Sequence, residues 1–547
     1  MALVKSGTQT LAYVADADAK AIYTMDVDAR RVLASTLLPG APAHLLVLAD
    51  GRVAVTLRDV DRVLVLEPQL EGPLRGLCEI SVPTDPFALA VTPDSGMLLV
   101  TGAWSGRLTG YDPLTFERRF DVALEREPRE VEIIGTKAFV AHVVGARVSA
   151  VDLAPPHAVR TIDLRRPRTD AKEREERGEP RELARTSQGF ALAALEKPER
   201  LFAPHVVVEP ELTFTYYAQG CETPVATGIH PGAERALVQS AVAVAPGTRG
   251  ATGRCLLPRT AEVSGGKLYV TCLGNDRLVE LDARAADPAR IPLREWEVGS
   301  GSLGLALDND RAIVWSQFER RLQIIELERG LTSTVKAPAL HTSERIALGR
   351  KLFHLVDDRR MSIDGRACAS CHPDGRDDAL VWPTQVGMRQ TITLAGRLEG
   401  SAPYGWSGEH PTVADHALET AKRLGGHGLD EDDANAIAAY LQSLPAPRAP
   451  DGERALVERG RTLFFGHEQA CATCHVDGGS DGTAHDLGTG GRIDTPSLRG
   501  VARTAPFLHD GRYPTLAALL ASPLRMGHVE ALGDSDRAAL VAFMESL

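Results

Sequence analysis

The chain has 547 residues, of which 44% are hydrophobic and 24% are charged, and its formal net charge is −12. This composition is typical of a globular protein of several domains, and the acidic balance argues against a nucleic-acid partner. No run of about 18 or more apolar residues is present, so no transmembrane helix is predicted. The opening residues, MALVKSGTQTLAYVADAD, lack the apolar core of a secretory signal peptide, so none is predicted.

The first part of the chain repeats a hairpin pattern. Units such as LAYVADADAKAIYTMDV, RVAVTLRDVDRVLVLEP and RAIVWSQFERRLQIIEL each contain a β-branched run, a polar turn and a second run. Val14, Val55, Val100 and Val140 mark successive copies, 41, 45 and 40 residues apart. A period of about 40–45 residues with several strands is typical of propeller blades. We therefore predict an all-β propeller over residues 1–337, with seven blades, and with six or eight as alternatives.

Two other features of this first part are a charged stretch and a set of cysteines. The stretch RRPRTDAKEREERGEPREL, which begins at Arg165, interrupts the repeats and is interpreted as a solvated loop. Cys78, Cys221, Cys255 and Cys272 could form disulfides in an oxidising compartment. Connectivity cannot be deduced from spacing alone, and the bridge that we expect is Cys221 with Cys255.

The remaining residues contain the same domain twice. Cys368 and Cys471 lie 103 residues apart, APYGWSGEHPT matches APFLHDGRYPT, and DANAIAAYLQSL matches DRAALVAFMESL. Each copy opens with a helix, GRKLF or GRTLF, and closes with an amphipathic helix. The segment PAPRAP is the predicted linker. We therefore predict two tandem, mainly α-helical domains over residues 341–448 and 451–547.

Each copy contains one C-x-x-C-H motif. The motif residues are Cys368, Cys371 and His372 in the first copy, and Cys471, Cys474 and His475 in the second. The two thiols can add to the vinyl groups of a haem, and the histidine can then bind the iron as proximal ligand. A four-cysteine zinc site would leave both histidines unexplained, and no βαβ pattern supports a thioredoxin-like dithiol. We therefore predict two covalently bound c-type haems.

The two copies differ where a second axial ligand is expected. In the second copy, LRMGH places Met526 as a thioether ligand, although methionine is also a common packing residue. The matching segment KRLGGH places Leu424 there by motif and Arg423 by strict offset. Neither binds iron in the usual way. We therefore predict a six-coordinate electron-transfer haem 2 and an open haem 1, unless His410 or His427 caps the first iron.

On these motifs, the stretch from about Leu348 to Leu547 resembles the bacterial di-haem cytochrome c peroxidase family, including related di-haem oxidases of protein maturation. The matching segments are GRKLF, CASCHPDGRDD, GWSG, GRTLFFG, CATCH, HDLGTGGRIDTPSLRGV and TAPFLHDGRYPTL. The front part looks like a bacterial surface-type propeller. The resemblance implies that His372 and His475 are proximal ligands, that Met526 is the distal ligand of haem 2, and that Trp406 lies between the haems.

The resemblance also implies residues around the haems. His509 matches the family histidine near haem 2. A calcium ion between the haem domains would use Thr504 and Pro506, with Gln390 replacing the family asparagine.

The sequence departs from the family near haem 1. The removable histidine of the family has no match between Pro373 and Glu409, and its acidic residue cannot be assigned by position. His416 and Glu419, which are three residues apart on one predicted helix face, are the candidates for proton transfer.

These observations predict a periplasmic or cell-surface di-haem oxidoreductase. Its predicted reaction reduces hydrogen peroxide with electrons from a small cytochrome or copper protein. The first alternative is an oxidase whose protein or small-molecule substrate is held by the propeller. The second is a non-enzymatic electron-transfer or surface binding protein, because fold alone does not decide function.

Overall fold

The computed structural model describes residues 1–145, 147–167, 176, 183–210, 236–245, 249–252, 255–289, 292–384, 386–450, 452–489, 491–524, 526–529 and 532–547. It divides into two compact units, Met1–Val208 with Val238–His341, and Glu209–Leu237 with Thr342–Leu547. Most of the charged stretch that begins at Arg165, and also Cys221, lie outside the described residues. Among the described residues, no helix is long and apolar enough to span a membrane.

The first unit is made of antiparallel sheets whose strands follow one another along the chain. Six of these sheets have four strands each. The first three contain β1 (Ala2–Ser6), β2 (Gln9–Asp16), β3 (Ala21–Asp26), β4 (Arg31–Leu37), β5 (Pro42–Val47), β6 (Val53–Leu57), β7 (Arg62–Glu67), β8 (Arg75–Ser81), β9 (Pro86–Val91), β10 (Leu98–Gly102), β11 (Arg107–Tyr111) and β12 (Arg118–Ala123). The other three contain β13 (Pro128–Ile134), β14 (Lys137–His142), β15 (Arg147–Asp152), β16 (Val159–Asp163), β23 (Pro258–Ser264), β24 (Lys267–Cys272), β25 (Arg277–Asp282), β26 (Arg294–Glu297), β27 (Ser302–Asp308), β28 (Arg311–Ser316), β29 (Arg321–Glu326) and β30 (Thr332–Lys336).

One further sheet lies between the fourth and the fifth of these in chain order, and it is irregular. Its strands are β17 (Arg166–Pro167), β18 (Leu183–Ser187), β19 (Ala193–Leu195), β20 (Arg200–Pro210), β21 (Ala236–Ala245) and β22 (Arg249–Thr252). The order is β17-β18-β20-β21-β22, and β19 also pairs with β20. The described residues therefore contain six regular four-stranded blades rather than the seven that the repeats predict.

Apolar clusters pack neighbouring sheets face to face. Strand β6 is buried along its whole length, whereas the outer strand β8 is mostly exposed, which explains why VAVTL is apolar and RGLCEIS is mixed. Tyr23 of the first sheet packs in one cluster with Trp315 of the last. The first and last sheets are therefore neighbours, and the unit closes as a β-propeller.

Polar contacts support the same closure. The buried carboxylate of Asp16 accepts hydrogen bonds from Gln317 Nε2 at 2.9 Å and from Arg320 Nε at 2.7 Å. Arg320 also donates to the Tyr23 hydroxyl at 2.6 Å. Each blade is made from consecutive strands, so the first and last blades share no strand. Side-chain packing and these hydrogen bonds join them instead.

The disulfide prediction is wrong. Cys255 is bonded to Cys272, the last residue of β24, and both are buried in one apolar cluster. The partner of Cys255 is therefore supplied by the adjacent hairpin, a tertiary contact that sequence spacing did not reveal.

Acidification should weaken the propeller through His142. This side chain is 1% exposed, with Nδ1 at 2.8 Å from the Arg126 carbonyl oxygen and Nε2 at 2.8 Å from Ser149 Oγ. Burial lowers the pKa of His142 to about 4. Since an unfolded histidine titrates near pH 6.5, the unfolded chain takes up the proton first as the pH falls. As the pH falls from about 6.5 to about 4, we expect the low pKa of His142 to lower the free energy of unfolding by up to about 3 kcal/mol.

Urea unfolding at several pH values, followed by circular dichroism, measures this effect. His142→Gln should be less stable at pH 7 and should lose less stability on acidification. The exposed His341→Gln variant is the control and should keep the wild-type pH dependence. An unchanged acid dependence in His142→Gln would refute the prediction.

The second unit is mainly helical. Its helices are α1 (Glu344–His354), α2 (Cys368–Cys371), α3 (Val413–Arg423), α4 (Glu431–Ser443), α5 (Arg454–Phe464), α6 (Cys471–Cys474), α7 (Leu516–Leu520) and α8 (Asp534–Glu545). Short 3₁₀ turns are Pro373–Gly375, Val476–Gly478 and Val501–Arg503, and two hairpins pair β31 (Val381–Thr384) with β32 (Gly387–Gln390) and β33 (Ala484–Asp486) with β34 (Arg492–Asp494).

The same helix pair occurs twice in this unit. Helix α1 packs against α4, and α5 packs against α8. A Cβ on Gly349 would lie 1.9 Å from the Ala436 carbonyl oxygen, and a Cβ on Gly460 would lie 1.9 Å from that of Ala539. The glycines of GRKLF and GRTLF are thus required where two backbones approach closely.

Candidate functional site

The first C-x-x-C-H motif lies on the wall of a large cavity. Cys368 and Cys371 begin and end the single turn of α2, and His372 follows at its C-cap. All three line a cavity of about 970 Å³, together with apolar side chains that include Phe353 and Leu441. A mostly apolar cavity of this size is typical of a cofactor site.

The second motif lines a second cavity, of about 290 Å³. Cys471, Cys474 and His475 are on its wall, beside apolar residues that include Phe464. Because the two cysteine pairs line different cavities, the geometry does not support the zinc alternative, which needs all four thiolates around one ion.

Both motif histidines are oriented in the same way. His372 Nδ1 lies 3.1 Å from the Arg376 carbonyl oxygen, and His475 Nδ1 lies 3.1 Å from that of Pro496. Burial lowers the pKa of both imidazoles, which favours the neutral form. With Nδ1–H donating to a carbonyl, the lone pair of Nε2 is available for a metal. The residues present therefore fit a covalently attached haem in each cavity.

The backbone conformation after Met526 and after Leu424 bears on which residue of the first copy matches Met526. Met526 lines the second cavity and is followed by Gly527, whose φ is +69°. Leu424 lines the first cavity, is 8% exposed and is followed by Gly425, whose φ is +72°. This shared backbone feature favours the motif alignment over the strict offset to Arg423, which also lines the first cavity. On the motif alignment, a leucine lies in the first cavity where a thioether lies in the second.

Two of the sequence candidates for proton transfer lie on α3 and line the first cavity. His416 Nδ1 is buried and has no hydrogen-bond partner among the described residues. Burial, and then the charges of His410 and Arg423, lower the pKa of His416 to about 4, so its imidazole is neutral at pH 7. Glu419 is exposed and pairs with Lys422 at 3.5 Å. His416 is therefore the better placed of the two.

The other two histidines considered for the first iron differ in position. His410 lines the first cavity, and its ring centroid is 5.1 Å from that of His416. His427 is not among the described residues that line this cavity, and its backbone N–H donates to the Arg359 carbonyl.

The two cavities share part of their walls. Trp406 lines both cavities, and its ring centroid is 6.3 Å from that of His509, which lines the second. Asp494 also lines both, and its backbone N–H donates to the Trp406 carbonyl at 2.9 Å. Burial raises the pKa of Asp494 to about 6. Trp406 therefore lies on the wall that the two cavities share, and its position between two haems stays a prediction.

Asp494 and His485 were missed by sequence reasoning. His485 lines the second cavity, and its Nε2 lies 2.7 Å from Asp481 Oδ2. Ligand atoms of Cys474, Asp481 and His485 lie within 4.8 Å of one another. The only sequence signal was the position of these polar residues in the segment after CATCH.

The proposed calcium residues are brought together by hydrogen bonds. Gln390 Nε2 donates to the Thr504 carbonyl at 3.0 Å, and the Gln390 backbone N–H donates to the His509 carbonyl at 2.6 Å. Pro506 follows two residues after Thr504. The segments that would hold calcium by the resemblance are therefore in contact. The contact is made by the Gln390 amide, which donates to the Thr504 carbonyl.

Two cavities that each carry a C-x-x-C-H motif are typical of a di-haem c-type cytochrome, and comparisons with known proteins agree with this class. No family model matches the chain. Cytochrome c peroxidase Ccp of Escherichia coli K12 is 27% identical over 276 residues, which is 38% of this chain and 58% of that protein. Methylamine utilization protein MauG of Methylorubrum extorquens AM1 is 26% identical over 282 residues, 38% of this chain and 78% of that protein.

Among solved structures, hydrazine synthase of Kuenenia stuttgartiensis aligns with a TM-score of 0.41 and 15% identity, covering 60% of this chain and 93% of that one. The C-terminal part of the chain is homologous to cytochrome c peroxidase and to MauG, and it follows a β-propeller. The alignment spans less than two thirds of the E. coli peroxidase.

Proposed function

We propose that the chain is a periplasmic or cell-surface oxidoreductase with two covalently bound c-type haems. The domains are the propeller, residues 1–337, and two cytochrome c domains, residues 341–448 and 451–547. The observation that carries the proposal is the asymmetry between two cavities that belong to two copies of one domain. Each has a C-x-x-C-H motif with an oriented histidine, but the segment LRMGH brings Met526 to the second cavity, whereas the matching segment KRLGGH brings Leu424 to the first. Met361, which also lines the first cavity, belongs to a different segment.

The proposed reaction is the reduction of hydrogen peroxide to two water molecules, with two electrons and two protons. The haems would supply the redox chemistry. A small cytochrome or copper protein is the proposed electron donor. Trp406 is the proposed electron relay because it lines both cavities, and the neutral His416, which lines the first, is the proposed group that accepts and returns a proton. Glu419 remains a weaker candidate because it is exposed.

A second candidate function is the oxidation of a protein or small molecule held by the propeller. The similarity to MauG favours this alternative, since MauG is described as a methylamine utilization protein rather than as a peroxidase. Both candidates use the same two haem sites, so they differ in substrate and not in cofactor.

We also propose that the irregular sheet β17–β22 occupies the seventh blade position. Leu201 packs in one cluster with Val148 of the fourth blade, and Phe202 packs in another with Val270 of the blade that follows. A sheet that contacts both neighbours completes a seven-membered ring.

Absorption and EPR spectra of the holo protein test the proposed function. They should be recorded in the oxidised and half-reduced states, with and without peroxide. One high-spin ferric signal that changes on peroxide addition, with two covalent haems per chain, is the expected result. Donor-dependent peroxide consumption should accompany it. Two low-spin haems that are indifferent to peroxide in every state would leave a non-enzymatic electron-transfer or binding protein.

A further inference from the structure

We propose that Arg423 is a further catalytic residue, which acts with His416 on peroxide in the first cavity. This inference rests on the proposed function and specifies which groups of this chain contact the substrate. Arg423 would donate a hydrogen bond to the oxygen that leaves when the O–O bond breaks.

The placement of the two side chains on α3 supports this pairing. His416 and Arg423 are seven residues apart, close to two helical turns, so they lie on one face of the helix. Both line the cavity that contains His372, as does Thr420 between them. The helix therefore presents a neutral imidazole and a guanidinium to the same space.

The charge of Arg423 acts on His416, one of the histidines that line this cavity. After burial and His410, Arg423 is the next cause of the lowered pKa of His416. Glu409 acts on His416 in the opposite sense. Its carboxylate accepts a hydrogen bond from the Ser407 backbone N–H at 3.3 Å.

Three other arginines, Arg366, Arg389 and Arg397, also line this cavity, but none of them lies on α3. Arg366 Nε lies 3.0 Å from Asp364 Oδ2, and its guanidinium lies 5.0 Å from the centre of the Trp382 ring. Arg397 Nε donates to the Arg499 carbonyl. None of the three shares a helix face with His416, so Arg423 is the arginine that α3 pairs with the imidazole.

The duplicated domain provides an internal comparison. Thr412 caps α3 by accepting the Asp415 N–H at 3.0 Å, and Thr515 caps α7 by accepting the Ala518 N–H at 3.0 Å. Four residues after each threonine, the first cavity has His416 and the second has Leu519. At this position, the polar residue therefore occurs in the first cavity and not in the second.

The chemical step balances with the reactants already named. Peroxide accepts two electrons, which the donor protein replaces, and two protons, and its O–O bond breaks to yield two water molecules. His416 accepts one proton from the peroxide and returns it to the leaving oxygen, which is a transfer within the substrate, and both of the protons that are taken up come from solvent. Arg423 stabilises the negative charge that develops on the leaving oxygen.

The test compares holo wild-type protein with Arg423→Leu, Arg423→Lys and the exposed control Arg345→Leu. Arg423→Leu should lower the second-order rate constant for peroxide by about 100-fold or more, as loss of one charge-stabilising donor typically does. Arg423→Lys should recover part of the loss because it keeps the charge. Arg345→Leu should match wild type, and haem content and circular dichroism should be equal in all four proteins.

Fluoride binding to the ferric protein, followed by absorption, is the second readout. Loss of the Arg423 donor should raise the fluoride dissociation constant about tenfold or more. Equal peroxide rates in wild type and Arg423→Leu would overturn the inference and leave the proposed function intact. If wild type does not consume peroxide, the proposed function is refuted. The fluoride measurement then decides the role of Arg423, which would be overturned by equal fluoride affinities of wild type and Arg423→Leu, or by no fluoride binding to wild type.

Discussion

Leu424→Met is expected to close the first haem site and to lower peroxide turnover by more than about 100-fold. The substitution places a thioether beside Gly425, where Met526 lies beside Gly527 in the second cavity. Because leucine and methionine have similar volumes, the exchange should cost less than about 1.5 kcal/mol of stability. A sixth ligand would convert the high-spin iron to a low-spin one and would block access of peroxide.

EPR and peroxide assays on the holo protein measure this effect. The control is Leu441→Met, because Leu441 is also buried and lines the same cavity. The control should keep the high-spin signal and most of the activity. If Leu424→Met stays high-spin and active, the match between Leu424 and Met526 is refuted.

The reciprocal change, Met526→Leu, is expected to remove the sixth ligand of the second haem. A histidine–methionine pair raises the potential of a haem, so its loss should lower this potential by about 0.1 V or more, within the ~0.8 V that axial ligands span. The lower potential would impede electron entry from the donor, so donor-dependent turnover should fall by about tenfold or more.

Spectroelectrochemical titration separates the two haems and measures the shift. Met544→Leu is the matched control, since Met544 is buried and lines the same cavity. A drop in potential in both variants would indicate a general packing effect. An unchanged potential in Met526→Leu would show that Met526 only packs.

Features that depend on local pattern were predictable from the sequence. The C-x-x-C-H spacing requires only a single helical turn, so Cys368, Cys371 and His372 are placed by five consecutive residues. The hairpin repeats predicted the propeller strands because alternation and turn residues act over a few residues. Duplication similarly predicted the matching helix pairs, in which Gly349 and Gly460 allow close approach.

Features that depend on contacts between distant residues needed the tertiary structure. The pairing of Cys255 with Cys272 follows from how neighbouring strands meet. The sequence alone left Leu424 and Arg423 as alternatives opposite Met526, and the positive φ of the following glycine favours Leu424.

The candidate site shows the same division. Sequence spacing placed His416 and Glu419 on one helix face, but only the packed fold shows that His416 is enclosed by the cavity wall while Glu419 is exposed. The positions of Asp494 and Trp406 likewise depend on two cavities that share a wall. The sequence by itself determined the motifs, the duplication and the strand repeats, because these arise from short-range backbone geometry. The tertiary structure decided which side chains meet, because burial and charge at a site are set by residues far apart in the chain.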